Sequence, residues 1–582
     1  MSDTIHPTES TWFGDSTIGP RFPAWTRGNA ADVFPDPFSP LGQSLVMRQG
    51  MCRGLRDAYI SLGALDWEEF EDPDLPDLFK VFGGYPYNPL SLTRVLGARM
   101  PGASPQMIDQ AFFDEGADIP VYEPEDWHQS DRHAALLAES MAWAMSADAL
   151  PELDADREMA RARRADRPVL ADLTDAALIA RARSMVPLIQ QTFENAMRVS
   201  SLGSLGPGAL TAICTGLGDP TMAVRLLAGI EVDSAAPSHA MWELSRVAAA
   251  SPELGAAFDA GLDDLLDRLA GSTSAAARDF LDQFDTFLVE HGSRGPNEYD
   301  PISRSWEASP RIALAAIDLM RKADESHAPG VRHAVSVAER DAVAAWVREH
   351  VAADPETAGL FEAALGSAQL FLAGRERAKT NVVAIINEVR MPLRELGRRF
   401  VERGLITKVE QVFMVTDAEL DHLRLDPERF RTVIADRWAQ YRALFDREPV
   451  FNVNHRVPSL SAMVQRNAKG VVAAGSGTVL RGTAGSGGVA TGRARVIVDA
   501  SDPQGLEAGD VLIAPQTDPS WVPLFVPAAA VVVNVGAVGS HAMIVSRELG
   551  IPCVVAVADA THLIADGATV TVDGTSGTVT IH

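Results

Sequence analysis

The run Gly536-Ala-Val-Gly539-Ser540-His541-Ala-Met543-Ile-Val-Ser-Arg547-Glu-Leu-Gly550-Ile-Pro552 puts a histidine where the local backbone can exploit it. A Val-rich stretch ending at Asn534 reads as a buried strand, and a glycine-containing loop follows. Ser540 occupies an N-cap position, and Gly550 with Pro552 ends a short helix. His541 then lies in the first helical turn, where unpaired amides and the positive end of the dipole stabilise a phosphoryl group carried on the imidazole. With an ordinary pKa of ~6.5, imidazole keeps a neutral nucleophilic nitrogen at pH 7. The chemistry expected is a phosphoramidate formed on His541 and passed on, with Gly539 and Ser540 supporting the phosphate loop. An isolated Ser-His pair is otherwise a helix cap or a packing feature. Arg547 comes six residues after His541, about 600° around a helix, so the two do not share a face and Arg547 reads first as structural.

Arg375 and Lys379 are four apart in Arg375-Glu376-Arg-Ala-Lys379, so both cations project from one helix face. Like charges at that spacing repel unless an anion lies between them. A phosphoryl group in transfer is such an anion, gripped by the Arg fork and attracted by the Lys point charge. The alternative is a solvated basic stripe, although lysine is scarce here, occurring only at 80, 322, 379, 408 and 469. His291, Arg294 and Glu298, in His291-Gly-Ser-Arg294-Gly-Pro-Asn-Glu298-Tyr-Asp300, fall in a loop after a helix. They could supply a base for an acceptor hydroxyl and further phosphate contacts, or form a capping network. The other histidines show no HxH or HExxH spacing, and Cys52, Cys214 and Cys553 are far apart, so no metal site or disulfide framework is expected. The aromatic run Phe82-Gly-Gly-Tyr85-Pro-Tyr87 suits a packed core better than an aryl pocket.

These residues need elements to hold them. The 582 residues, 46% apolar and 22% charged, supply cores for several domain-sized units. Residues 1–130 are rich in Pro, Gly and aromatics and predict irregular structure with short helices. From about Asp131 to Asp446 apolar residues recur at spacings of three and four, as in DRHAALLAESMAWAM and ERDAVAAWVREHV, which predicts a large helical body over residues 1–467. A Gly/Ser/Ala-rich hinge is expected over 468–477. Residues 478–582 then turn to short β-branched segments (ARVIVD, DVLIAP, AAVVVN, CVVAV, ATVTVDG, GTVTIH) interrupted by HAMIVSREL, the pattern of a small α/β domain. A net charge of −27 repels phosphate backbones and anionic lipid, so neither nucleic acid nor membrane is expected as partner. The acidic, polar N-terminus lacks a signal-peptide pattern, and a cytoplasmic location is expected.

The His541 segment resembles the swivelling phosphohistidine domain of phosphoenolpyruvate synthase and pyruvate phosphate dikinase, whose signature runs roughly G-G-x-T-S-H-x-A-I-x-A-R-E-x-G-I-P. Gly485-Ser-Gly-Gly-Val489-Ala-Thr-Gly492, Gly509-Asp-Val-Leu-Ile513, Thr517-Asp-Pro519-Ser-Trp521, Val572-Asp-Gly574 and Gly577-Thr-Val579 match in order. Gly539 and Met543 depart from it. More weakly, Arg27-Gly-Asn29-Ala-Ala-Asp32-Val-Phe-Pro35-Asp-Pro37-Phe-Ser39-Pro40, the His291 to Asp300 segment and Arg375-Glu376-Arg-Ala-Lys379 are similar to the acceptor-binding region of rifampicin phosphotransferase. They are similar also to the histidine-carrying subunits of phenylphosphate and 4-methylbenzyl phosphate synthases. The resemblance implies an ATP-dependent, dikinase-like phosphotransferase subunit acting on a small organic hydroxyl acceptor, phenolic or alkylphenolic. No P-loop pattern precedes the histidine, and about 30 residues follow Pro552, too few for a phosphoenolpyruvate-binding barrel. ATP and Mg²⁺ are therefore expected on a separate ATP-grasp subunit, with no cofactor site on this chain. The alternative is a non-enzymatic phosphohistidine carrier or regulatory protein.

Overall fold

The computed structural model describes residues 17–76, 78–113, 119–325, 328–465, 473–499, 505–518, 521–536 and 540–582. It shows a large, mainly helical body followed by a small α/β domain. The helices that bear on the site are α1 (Ala236–Ala250), α2 (Ala275–His291), α3 (Pro310–Arg321), α4 (Pro329–Val351), α5 (Pro355–Glu402) and α6 (Pro427–Leu444). The longest, α5, runs 48 residues because its buried positions recur at helical spacing. Asp354 caps its start by accepting from the Glu356 amide at 3.1 Å, and Pro392 is accommodated inside it. It forms the spine against which the N-terminal segment and the phosphate-related residues are laid.

The N-terminal region is more regular than its composition suggests. It contains a ten-residue π-helix, Gly42–Met51, helices Cys52–Ser61 and Leu90–Arg99, and a hairpin pairing Lys80–Phe82 with Tyr85–Tyr87. The aromatics of that hairpin are core. Tyr85 and Tyr87 are fully buried, and their hydroxyls donate to the carbonyls of Leu444 (2.7 Å) and Val450 (2.5 Å).

The C-terminal domain is built on eight strands: β1 (Val479–Arg481), β2 (Thr483–Ser486), β3 (Val489–Val496), β4 (Val511–Ala514), β5 (Ala530–Val533), β6 (Cys553–Val555), β7 (Thr569–Asp573) and β8 (Thr578–Ile581). Their order is β1-β8-β7-β3-β4-β5-β6-β2, with β3 to β6 parallel and the flanking pairs antiparallel. β4 and β5 are buried at every position, as parallel strands covered on both faces must be, which explains their unbroken apolar composition. Two expectations need correction. Of the segment ARVIVD only Ala494 to Val496 is strand, the end of a longer strand that starts at Val489, and β1 and β2 lie outside the short segments expected as strands. The lone-helix reading also fails, because α7 (Val522–Phe525) and a turn of helix at Ala560–Leu563 accompany α8 (His541–Leu549).

The domain rests on the body through a shared apolar core. Trp242 of α1, Phe284 of α2 and Ile317 of α3 belong to one buried cluster with Trp521, Leu524, Phe525 and Met543. Of the expected hinge, 473–477 are described, and 468–472 lie outside the described residues.

Candidate functional site

His541 is the first residue of α8, at the carboxyl end of β5, and the helix ends at Gly550 in the left-handed conformation (φ 62°). Ser540 precedes it in an extended conformation, but its side chain makes no capping bond, and its Oγ is buried without a partner. Gly536 approaches closely: a Cβ there would lie 2.9 Å from Val555 Cβ and 3.1 Å from Ser540 Oγ. Gly539 lies outside the described residues. Met543 is buried against Gly485, and Arg547 donates to the Gly485 carbonyl at 2.8 Å, tying α8 to β2. Arg547 is structural.

The His541 ring is half-buried, with its two nitrogens in different settings. Nδ1 lies 3.2 Å from Thr517 Oγ1, in the loop after β4, while Nε2 is sealed from solvent and has no hydrogen-bond partner. The Phe525 ring meets the imidazole edge-on, 6.3 Å between centroids. If Nδ1–H donates to Thr517, Nε2 keeps its lone pair and is the nitrogen free to bond phosphorus. Burial, and then the charges of Lys379 and Arg294, hold the imidazole pKa well below 6.5. It is therefore neutral at pH 7.

Those two cations come from the body. Arg294, 1% exposed, donates from Nε and an NH2 nitrogen to both carboxylate oxygens of Glu298 (2.8 and 3.2 Å), and donates to Thr380 Oγ1 at 2.8 Å. Burial pulls its pKa down, but Glu298 outweighs this, so it is held charged. Lys379 Nζ lies 3.6 Å from Glu298 Oε1 and 6.0 Å from the centre of the Tyr299 ring. Arg375 acts electrostatically on the same Tyr299, as an i,i+4 pair on one face of α5 should, and no ion pair is found for it among the described residues. His291 ends α2 and packs on Phe287 at 5.4 Å. Burial and Arg294 push its pKa down to about 4, which makes it a weak base. The structure thus brings Arg294, Glu298, Lys379 and His541 together and sets His291 behind Arg294.

Sequence reasoning passed over three participants. Glu376, between the two cations on α5, is 7% exposed with Oε2 unpartnered. Glu548 of α8 is likewise buried with an unpartnered oxygen. Burial, then Glu376 and Glu231, raise its pKa well above 4.5. Thr517 holds the ring. Each lay inside a segment singled out in the sequence, Glu376 in the Arg-Glu-Arg-Ala-Lys run, Glu548 after Arg547 and Thr517 at the head of Thr517-Asp-Pro519-Ser-Trp521, but no residue spacing marked them as partners.

The loop bearing Arg294 is fixed on several sides. The Trp306 amide donates to the Arg294 carbonyl (2.8 Å), and Arg390 donates to the Glu298 carbonyl (2.8 Å). Asp300 accepts from Ser39 N and Oγ, both at 2.6 Å, which joins the N-terminal Pro-rich motif to the site loop. Across the seam, Asn297 N donates to Asp518 Oδ2 at 3.1 Å. Elsewhere, the side-chain ligand atoms of Asp66, Glu69 and His133 lie within 4.8 Å of one another. Arg99 and Arg132 already pair with those carboxylates at 2.6 and 2.5 Å, so the group reads as an ion-pair network. No helix among the described residues is long and apolar enough to cross a membrane.

Two segments of the chain match known family models. Residues 195–376 match the rifampicin phosphotransferase fourth domain, and residues 506–577 match the mobile domain of PEP-utilising enzymes. An uncharacterised protein of Mycobacterium tuberculosis is 27% identical over 97% of this chain and 62% of its own length. Rifampicin phosphotransferase of Streptomyces sviceus is 29% identical over 55% of this chain and 36% of its own. The prodigiosin synthesizing transferase PigC of Serratia marcescens is 30% identical over 51% and 33%. The chain spans about three-fifths of the first of these relatives and about a third of the other two. The two matched segments are thus similar to a rifampicin phosphotransferase domain and to the mobile domain of PEP-utilising enzymes.

Proposed function

We propose that this relative of the PEP-utilising enzymes is a phosphohistidine-carrying phosphotransferase subunit that loads Nε2 of His541 and delivers the phosphoryl group to the hydroxyl of a small organic acceptor. Loading uses ATP and Mg²⁺ held by a separate ATP-grasp subunit. Over the cycle ATP, water and the acceptor become AMP, phosphate and the acceptor phosphate. In the delivery step the acceptor oxygen bonds to phosphorus, the Nε2–P bond breaks, and its electron pair returns to the imidazole. Protonated Nδ1, held by Thr517, lets the ring leave as neutral imidazole. The hydroxyl proton passes to Glu376, whose Oε2 is uncommitted. Lys379 and Arg375 neutralise the phosphoryl oxygens, while Arg294 and Glu298 fix Lys379 in place. His291 supports Arg294 from behind. A phenolic or alkylphenolic acceptor is favoured by the sequence resemblance and by the aromatic side chains near the seam.

The observation that carries this reading is the unpartnered, buried Nε2 of a helix-start histidine presented to Lys379 and Arg294 of the body. The test incubates the chain with Mg²⁺, [β-³²P]ATP and an ATP-grasp subunit. Acid-labile label is expected on the wild type and none on His541→Ala. Adding phenol, 4-methylphenol or simple alcohols should release label as an organic phosphate. Label that stays on the protein with every acceptor supports the carrier reading, and a wild type that never becomes labelled overturns both.

A further inference from the structure

Between the body and the C-terminal domain lies a cleft of about 920 Å³. One wall is Asn297, Trp438, Tyr441 and Asp446 of the body, and the other includes Thr517 and Asp559 of the small domain. Thr517 on that wall is the residue that holds Nδ1 of His541, which does not itself line the cleft.

Three features fix the chemistry of a ligand here. First, among the described lining residues seven are carboxylic acids and three are arginines. Arg304 pairs with Glu410 (3.3 Å), which leaves six acids against Arg27 and Arg442. Asp446 and Asp559, on opposite walls, have no ion pair among the described residues. The field inside is therefore negative and attracts cations. Second, Trp438 and Tyr441 lie near-parallel at 6.0 Å and Phe445 follows, an aromatic wall whose ring faces favour a cation or a flat ring. Third, Asn297 is 5% exposed, and its Oδ1 has no hydrogen-bond partner. Its backbone is left-handed (φ 46°), and its amide is anchored to Asp518. A buried, unpaired acceptor oxygen calls for a donor, an N–H or O–H, and repels an anion.

We propose that this cleft binds an organic cation, an amine or ammonium compound that carries an aromatic ring. This binding does not depend on the phosphotransferase reading and is measured without any transfer step. The ammonium group sits between Asp446 and Asp559, the ring lies on Trp438, and a donor meets Asn297 Oδ1.

The test uses three phenols of like shape and different charge on the full, unphosphorylated chain: tyramine, 4-ethylphenol and 3-(4-hydroxyphenyl)propanoate. Calorimetry should show tyramine binding at least tenfold more tightly than the propanoate, with 4-ethylphenol between. Raising salt from 50 to 500 mM should weaken tyramine several-fold and leave 4-ethylphenol nearly unchanged. Asp446→Asn and Asp559→Asn should each weaken tyramine at least threefold. Equal affinity for the three probes, preference for the propanoate, no binding of any of them, or tyramine binding unaffected by both substitutions overturns the proposal. A separate assay of His541 labelling reports on the phosphotransferase reading, so loss of one leaves the other standing.

Discussion

In the proposed reaction, Lys379 is the residue on which the delivery step turns. Its Nζ is 3.6 Å from Glu298, its charge reaches His541, and Arg375 one turn earlier acts on the same Tyr299. Neither cation is part of the fold of the small domain that carries the phosphate. Replacing Lys379 or Arg375 by Ala should slow transfer to acceptor about a hundredfold, the usual loss when one preorganised charge partner of a transition state is removed, and leave loading of His541 nearly normal. Single-turnover rates of the two half-reactions check this, and equal slowing of both would remove the body from the acceptor step. Arg294 is different. It is saturated by Glu298 and Thr380, and truncating it strands a buried carboxylate, so it acts by holding others.

Helix α8 both presents the nucleophile and closes the seam. Its outer end carries Glu548 toward Glu376 of α5 and Glu231, and Ser336 of α4 lies 3.5 Å from the Arg547 carbonyl. Docking thus buries like charges together. Because the docked Glu548 pKa is raised, its contribution to docking is full below about 4.5 and is lost as pH rises through the raised value. His541, depressed in the docked state, acts oppositely: its contribution is present above about 6.5 and is lost as pH falls. Glu548→Gln should therefore remove the weakening of docking with rising pH, which in the wild type reaches up to about tenfold per pH unit between about 4.5 and the raised value. Fluorescence transfer between labels on the body and the small domain reads this directly. The same pH dependence of docking in the wild type and in Glu548→Gln would contradict the assignment.

At the scale of the whole molecule, the small domain shares one apolar core with α1 to α3, so moving His541 to a distant nucleotide site either parts Trp521 and Phe525 from those helices or carries the helices along. A disulfide between cysteines placed at 297 and 518, where the amide of one now meets the carboxylate of the other, should lock the docked arrangement. Oxidised protein should resist loading by the ATP-grasp subunit, and dithiothreitol should restore it. The native cysteines are all buried and leave the new pair to react. Undiminished loading of the fully oxidised form would mean that His541 is reached without undocking.

What the amino-acid order determined by itself was local. Gly550 marks the end of α8 because left-handed termination acts over a few residues, Ser540 holds the N-cap position without a capping bond, and Arg375 and Lys379 share a face because a helix repeats every 3.6. The strands β4 and β5 were legible from unbroken apolar runs, whereas β1 and β2 were not, because glycine-rich segments show no alternation until a neighbouring strand pairs with them. Only the tertiary structure decided that Glu298 belongs to Arg294 and Lys379, that His291 stands behind the site, and that Glu376 and Glu548 confront each other. The Glu298–Lys379 and Glu376–Glu548 pairings join residues tens to hundreds of positions apart. Their energies come from burial and charge in a packed interior, which no short-range pattern encodes.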